Sequence, residues 1–374
     1  MYNLVKEKKA QFVYSSIVQD VEMYTKENVK KFLTNVSDES LLSDLCGVWK
    51  DYKSSTKLIC DLMMYLDNGY VVCKNLKPLK TKCLEIFRDF VVRHEDVRDR
   101  FRDVVLSQIR RDRSNEVIDR ISLKTVLFML HELSPETYRT EFEVPFLKDT
   151  REFYVTETNA ILKESACSVY LEKALKRLRE EDHRVSQYLN FHTLKPLREV
   201  MLDVLVKSRA KMLVEMKDSG CAEMLKNTQL EDLSRMYDLF SKVPDTLSLV
   251  RNCMKKELLS QGHSIIRDPE CGKNPIHFIS KVLKTREQYG NTIKRSFRGD
   301  KSFQRTLKEA FETFLNVNEK PARYLSAYVD LYMKGKIATD RSERRKFSIC
   351  TTHHLDRVIE IFRYLRDRDV FENL

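Results

Sequence analysis

The chain has 374 residues, and 67 lysines and arginines against 56 aspartates and glutamates give a formal net charge of +11. Its 8 glycines and 8 prolines are 16 of 374 residues, about 4%, whereas the usual share of the two is roughly 12%. So few turn formers argue against a β-sandwich, a β-barrel or a glycine-loop nucleotide enzyme. A hydrophobic share of 42% allows a large core, which argues against general disorder.

Turn-forming residues divide the chain into helical segments. In chain order they lie at residues 75–78, 134–135, 192–196, 220, 243–245, 271–275, 299–300 and 320–321. Between them, apolar residues recur with the period of an amphipathic helix. We therefore predict an all-α protein in which consecutive helices are joined by short connections.

Two regions give sharper predictions. Trp49 is the single tryptophan of the chain, and we predict that it anchors the core between helices. Further along, we predict that Asp300 caps a helix whose apolar residues form one core-facing stripe. The stripe consists of Phe303, Leu307, Ala310, Phe311, Phe314 and Leu315.

The common catalytic and metal-binding motifs are missing. The sequence has no GxxxxGK(S/T), GxSxG or HExxH motif, and its nine cysteines include no CxxC pair. We therefore predict no catalytic site, no metal site and no cofactor, while a cysteine–histidine dyad assembled by the fold stays open. The irregular cysteine spacing indicates reduced thiols, so we expect a cytoplasmic protein, a nuclear protein or both.

Neither a nucleic acid nor a membrane is expected as a partner. Basic residues are interleaved with acidic ones, as in residues 173–182, and this pattern is typical of solvated helix faces. The longest mostly apolar run, residues 58–66, is too short to span a membrane and contains Asp61.

Short motifs follow one another along the chain in a characteristic order. They lie at residues 63–71, 114–120, 142–154, 215–243, 272–279, 300–316 and 362–372, and the second of them reads SNEVIDR. Together they resemble the N-terminal half of the cullin family, most closely its cullin-3 branch. The shared order of the motifs makes this resemblance specific.

The resemblance implies an elongated, curved stalk of three five-helix cullin repeats. The first repeat would occupy residues 1–135 and be incomplete at its N-terminus, because the family's first helix has no counterpart here. Residues 136–243 would form the second repeat and residues 244–352 the third. Residues 353–374 would be the first helix of the C-terminal cullin domain, and we expect the rest of that domain to be missing.

In cullins this stalk is the non-catalytic scaffold arm of a multi-subunit ubiquitin ligase, and its tip binds the adaptor that carries the substrate. The cullin-3 branch uses BTB-domain adaptors, so the resemblance implies a BTB-type adaptor as the partner at the N-terminal tip. The family binds a RING-box protein through its C-terminal half, and we expect that partner only through this absent half. A fragment that holds an adaptor without a RING-box protein would sequester the adaptor.

The resemblance also implies which residues contact the adaptor. Tyr2 lies where the cullin-3 branch carries a tyrosine that faces the BTB domain. Further contacts are expected on the family's fifth helix, from Leu79, Lys80, Cys83, Leu84 and Phe87. Lys80 replaces a second BTB-facing tyrosine, which predicts weakened binding. Leu84 and Phe87 are alternatively core residues.

A helical-rod interaction protein, such as a vesicle-tethering subunit, is the main alternative. Such rods share stacked helical bundles and a similar composition. Binding to membranes or to other rod subunits would favour this alternative, whereas selective binding to BTB domains would favour the cullin interpretation.

Overall fold

A computed structural model describes residues 9–334 and 356–366 of the chain. Every regular element in these residues is helical and none is a strand, so the all-α prediction is confirmed. In the same residues, no helix combines the length and apolar character needed to cross a membrane. Contacts group the chain into two compact units, Met1–Thr156 with Arg177–Met201 and Glu157–Lys176 with Leu202–Leu374. The division into three repeats stays a prediction.

Helices α1 to α10 follow one another between residues 10 and 202. Their bounds are α1 Ala10–Asn35, α2 Leu41–Leu62, α3 Met64–Leu66, α4 Leu79–Phe87, α5 Glu95–Arg113, α6 Arg120–Leu133, α7 Pro135–Tyr138, α8 Val144–Glu164, α9 Cys167–Tyr188 and α10 Leu194–Leu202. Single π-helical turns prolong four of the shorter helices. They are Asp67–Val71 after α3, Arg88–Val92 after α4, Arg139–Glu143 after α7 and Asp203–Lys207 after α10.

The remaining helices belong to the second unit. Their bounds are α11 Ala210–Glu215, α12 Cys221–Lys226, α13 Leu230–Phe240, α14 Thr246–Arg267, α15 Pro275–Arg295, α16 Lys301–Leu315 and α17 Lys320–Met333, and residues 356–362 are also helical. The Asp300 side chain accepts a hydrogen bond from the Ser302 N–H at 2.7 Å, which confirms the predicted N-cap of α16. All members of the predicted α16 stripe are buried, which confirms that prediction as well.

Trp49 on α2 anchors the core of the first unit, as predicted. It is almost fully buried and packs edge-on against Phe87 of α4, with ring centroids 4.9 Å apart. Tyr52 packs against the same ring at 4.7 Å, and its hydroxyl donates a hydrogen bond to the Cys83 carbonyl at 2.7 Å. Helix α4 is therefore fixed to α2 by aromatic packing and by a hydrogen bond from a side chain to the backbone.

A buried ionic network joins α5, α8 and α9 within the first unit. The fully buried Arg113 donates to Glu181 through Nε at 2.9 Å and through Nη2 at 3.3 Å. The same carboxylate accepts hydrogen bonds from the Tyr154 hydroxyl at 2.6 Å and from Arg184 Nη1 at 3.1 Å. Arg184 Nε also donates to Asp112 at 2.7 Å. Each buried charge thus has an opposite charge and further hydrogen bonds, which burial requires.

Gly262 of α14 lies against the Phe314 ring of α16. A methyl group at residue 262 would overlap this ring, and the ring is fully buried and packs on Phe311 with centroids 4.9 Å apart. We expect Gly262→Ala to lower the free energy of unfolding by about 1–3 kcal/mol, because the added methyl overpacks the core. Urea unfolding followed by far-UV circular dichroism measures this difference.

Gly47→Ala is the matched control for this prediction. Gly47 is also helical, but it is exposed and a methyl group there would meet no heavy atom within 4 Å. We expect this substitution to raise the free energy of unfolding by about 0.5–1 kcal/mol, since alanine loses less backbone entropy in a helix. Two substitutions with the same sign of effect would contradict the packing assigned to Gly262.

Candidate partner-binding face

The first turns of α1 pack where the end of α2, the α3 segment and the start of α4 meet. Ala10, Leu66 and Leu79 are buried at the centre of this contact. Partly buried side chains surround them, namely Val13, Tyr14, Ile17, Val18, Cys60, Met63 and Tyr70. This small cluster holds the N-terminal elements of the first unit together.

Two hydrogen bonds hold the loop that leads into α4. The Tyr14 hydroxyl donates to the Lys77 carbonyl at 2.9 Å, and the Leu79 N–H donates to Asp67 Oδ1 at 3.1 Å. Burial, and secondarily the charge of Asp67, raises the pKa of Tyr14, so its hydroxyl stays protonated as a donor. The start of α4 is therefore fixed in place before any partner binds.

Helix α4 places the predicted contact residues on two different sides. Leu79, Cys83 and Phe87 face inward and are at most 2% exposed, because they lie at intervals of four residues along one stripe. Lys80 is exposed and Leu84 is half-buried, so these two side chains reach the surface. Tyr2 lies outside the described residues.

The inward residues of α4 pack in the core beneath Lys80 and Leu84. Burial raises the pKa of the Cys83 thiol to about 11, so this thiol is neutral at physiological pH and packs as an apolar group. Direct contact of Leu79, Cys83 or Phe87 with a partner would require α4 to leave its core. Direct contact by these three residues stays a prediction, whereas Lys80 and Leu84 reach the surface without such a movement.

Several large apolar side chains are exposed on the elements that pack together here. They lie on α1, at the end of α2, on α3 and in the loop before α4, and all of these elements meet at the cluster described above. We call these side chains the N-terminal face, and they are Phe12, Leu58, Leu62, Met64, Tyr65, Val72 and Leu76. Exposed apolar residues on neighbouring elements are candidates for an interaction site, because large exposed apolar patches often mark such sites.

Leu58 and Leu62 are the most informative members of the N-terminal face. Their exposed fractions are 64% and 70%, and a spacing of four residues places them one turn apart on α2. Leu58 follows the buried Trp49 by nine residues, which is about 180° around the helix. The spacing of these leucines in the sequence indicates a second apolar stripe on α2. Periodicity alone does not tell which of the two stripes faces the core.

Comparison with known proteins places the chain in a family. The model of the cullin alpha solenoid domain matches residues 1–374, which is the whole chain. The chain belongs to the cullin family. Cullins act as scaffolds of cullin–RING ubiquitin ligases.

Cullin-3 proteins are among its most similar curated relatives. The chain is 32% identical to Cullin-3A of Arabidopsis thaliana over 373 residues, which cover 99% of the chain and 50% of that protein. It is 33% identical to Cullin-3 of Dictyostelium discoideum over 374 residues, with 99% and 48% covered. Cullin-4A of Homo sapiens is 28% identical over 375 residues, with 99% and 47% covered. The chain thus spans about half the length of the curated cullins it matches.

Proposed function

We propose that residues 1–374 act as the adaptor-binding arm of a cullin–RING ubiquitin ligase, and that a BTB-domain adaptor binds the N-terminal face. The observation that carries this proposal is that large apolar side chains are exposed on α1, α2 and α3, which pack with α4, in a member of the cullin family. The resemblance to the cullin-3 branch supports the BTB class of adaptor.

In this function the chain would position other proteins and would supply no catalytic residue. An adaptor held at the N-terminal face brings its substrate to a fixed place in the complex, so that attack on the charged conjugating enzyme becomes effectively intramolecular. We assign recruitment of the RING-box protein to parts of a whole cullin other than these residues. A fixed arm suits this function because a mobile one would lower the effective concentration of substrate.

The N-terminal face has the properties of a protein interface. Its exposed leucines, aromatic side chains and methionine offer apolar area, and large apolar and aromatic residues commonly dominate binding energy. Lys80 and Leu84 lie on α4, which borders this area. We therefore place both of them in the proposed contact, together with Tyr2.

Titration of the purified chain against a panel of BTB domains tests the proposal. Adaptor domains of other cullin branches serve as controls in the same assay. We expect selective saturable binding to at least one BTB domain. Failure of every BTB domain to bind a chain shown to be folded and helical would overturn the BTB assignment, and binding to another adaptor class instead would replace it.

Lys80→Tyr should strengthen binding to a BTB domain. When a partner covers a lysine, the side chain loses conformational entropy and its charge loses hydration, and both changes weaken binding. Tyrosine instead offers a large apolar ring with few rotatable bonds. We expect affinity to rise about tenfold, and isothermal titration calorimetry measures the change.

Lys82→Tyr is the control for this substitution. Residue 82 lies two positions further along α4, which is about 200° around the helix. We expect its affinity to match that of the unchanged chain. Equal gains in affinity from both substitutions would mean that tyrosine strengthens binding non-specifically. This result would contradict the proposed contact at Lys80.

A further inference from the structure

Three different metal-ligating side chains converge in the turn between α14 and α15 of the second unit. Asp268 follows the last residue of α14, Cys271 lies in the turn and His277 lies in the first turn of α15. A carboxylate oxygen, the thiol sulfur and an imidazole nitrogen of these residues all lie within 4.8 Å of one another. In a tetrahedral zinc site, bonds of about 2.0–2.3 Å place neighbouring ligand atoms about 3.3–3.8 Å apart, so a shift of about 1 Å would bring these three atoms to ligating distance.

Hydrogen bonds outside the three ligands hold the turn in shape. Asp268 Oδ1 accepts the Glu270 N–H at 3.0 Å, which leaves Oδ2 directed at the cluster. The Tyr324 hydroxyl of α17 donates to the Gly272 carbonyl at 2.7 Å. Asn274 caps α15 by accepting the Ile276 N–H at 2.9 Å, and thereby fixes the helix turn that carries His277. Outer hydrogen bonds of this kind orient the ligands of metal sites.

The ammonium group of Lys281 forms an ion pair with one of the three candidate ligands. Its Nζ lies 2.5 Å from Asp268 Oδ2, and the Cys271 thiol donates to the same oxygen at 3.5 Å. A bound cation would replace the ammonium as the partner of this carboxylate. Lys281 lies on the outer part of α15 and is 39% exposed at its side chain, so it can turn away into solvent.

We propose that Asp268, Cys271 and His277 bind a zinc ion, with the fourth position taken by water. A mixture of sulfur, nitrogen and oxygen ligands favours Zn²⁺ over Mg²⁺ or Ca²⁺, which prefer oxygen alone. Binding would release the proton of the Cys271 thiol to solvent, because the thiolate is the ligand. The Asp-x2-Cys-x5-His spacing contains no CxxC pair, which explains why motif searching in the sequence predicted no metal site. The inference does not depend on adaptor binding.

Titration of the purified, chelator-treated full chain with Co²⁺ tests the site. Cobalt bound to a thiolate gives a charge-transfer absorption that cobalt bound only to oxygen or nitrogen lacks. We expect this absorption to saturate at one ion per chain, to be displaced by Zn²⁺ and to be unaffected by excess Mg²⁺. Absence of a saturable signal would overturn the proposal.

Variants identify the ligands. We expect Cys271→Ser to abolish the absorption and His277→Ala to weaken binding at least about tenfold, whereas Cys73→Ser, which removes an exposed free thiol, changes neither. Lys281→Met should tighten binding, since it removes the competing ammonium, and it leaves all three ligands in place. A signal that survives in Cys271→Ser, or weaker binding in Lys281→Met, would contradict the site.

Discussion

Glu181→Gln lowers the free energy of unfolding of the first unit by about 3 kcal/mol. The substitution keeps the shape of the side chain but leaves the fully buried Arg113 without its closest negative partner, and breaking a buried pair from one side typically costs about 3–5 kcal/mol. It also turns the acceptor of the Tyr154 hydroxyl from a charged into a neutral group. Urea unfolding followed by the fluorescence of Trp49, the single tryptophan, reports on this unit.

Asp182→Asn is the control for the buried pair. Asp182 is the next residue on α9, but its ion pair with Arg198 is exposed, with side-chain exposures of 38% and 52%. Exposed pairs contribute about 0–1 kcal/mol, so we expect a small effect. An effect of Glu181→Gln no larger than that of the control would contradict the stabilising part assigned to the network.

The effect of Glu181→Gln should shrink in acid. Burial acts to raise the pKa of Glu181, but the charges and hydrogen bonds of Arg113 and Arg184 outweigh it and lower this pKa. A carboxylate with a lowered folded-state pKa stabilises the fold above its unfolded pKa of about 4.3, and this stabilisation is lost as the pH falls through the folded-state pKa. The difference in the free energy of unfolding between the variant and the unchanged chain should therefore be largest at pH 7 and become smaller below about pH 4. A difference that widens in acid would contradict this sign.

Leu58→Glu combined with Leu62→Glu weakens BTB binding at least about 100-fold. Both side chains are largely exposed on one face of α2, so two carboxylates there should leave the fold intact while placing unpaired charges in the proposed contact. Calorimetric titration against a BTB domain that binds the unchanged chain measures the loss. Circular dichroism checks that the variant remains helical.

Val117→Glu combined with Ile121→Glu is the matched control. These residues are even more exposed, at 94% and 80%, and they belong to the same unit. Cys46 of α2 donates to the Ser122 carbonyl, and Cys46 precedes Leu58 by 12 residues, roughly 18 Å along a helix. We expect the control to bind as tightly as the unchanged chain. Equal losses in both variants would show that added charge anywhere on the unit weakens binding, and would contradict the N-terminal face.

Local signals in the sequence predicted the helical fold well. The Asp300 cap and the α16 stripe depend on residues within one helix, where spacing alone decides which side chains share a face. Trp49 was predictable for a different reason, since a large aromatic among apolar neighbours is usually buried. These predictions needed no knowledge of which helices pack together.

Features that depend on contacts between helices were not predictable in this way. Arg113 and Glu181 are 68 residues apart, and nothing in either neighbourhood indicates that they form a buried pair. On α4 the family resemblance named residues on both sides of the helix, and it could not separate the buried Phe87 from the exposed Lys80. The convergence of Cys271 and His277 likewise depends on how the turn before α15 closes.

Amide hydrogen exchange of the full chain, with and without a saturating BTB domain, tests the central claim most directly. We expect slower exchange on binding in residues 10–17, 58–76 and 79–84, which carry the N-terminal face and the outward side of α4. We expect unchanged exchange in α14 to α17 of the second unit. Protection confined to the second unit, or no protection in α1, α2 and α4 at saturation, would contradict an adaptor-binding arm that uses this face.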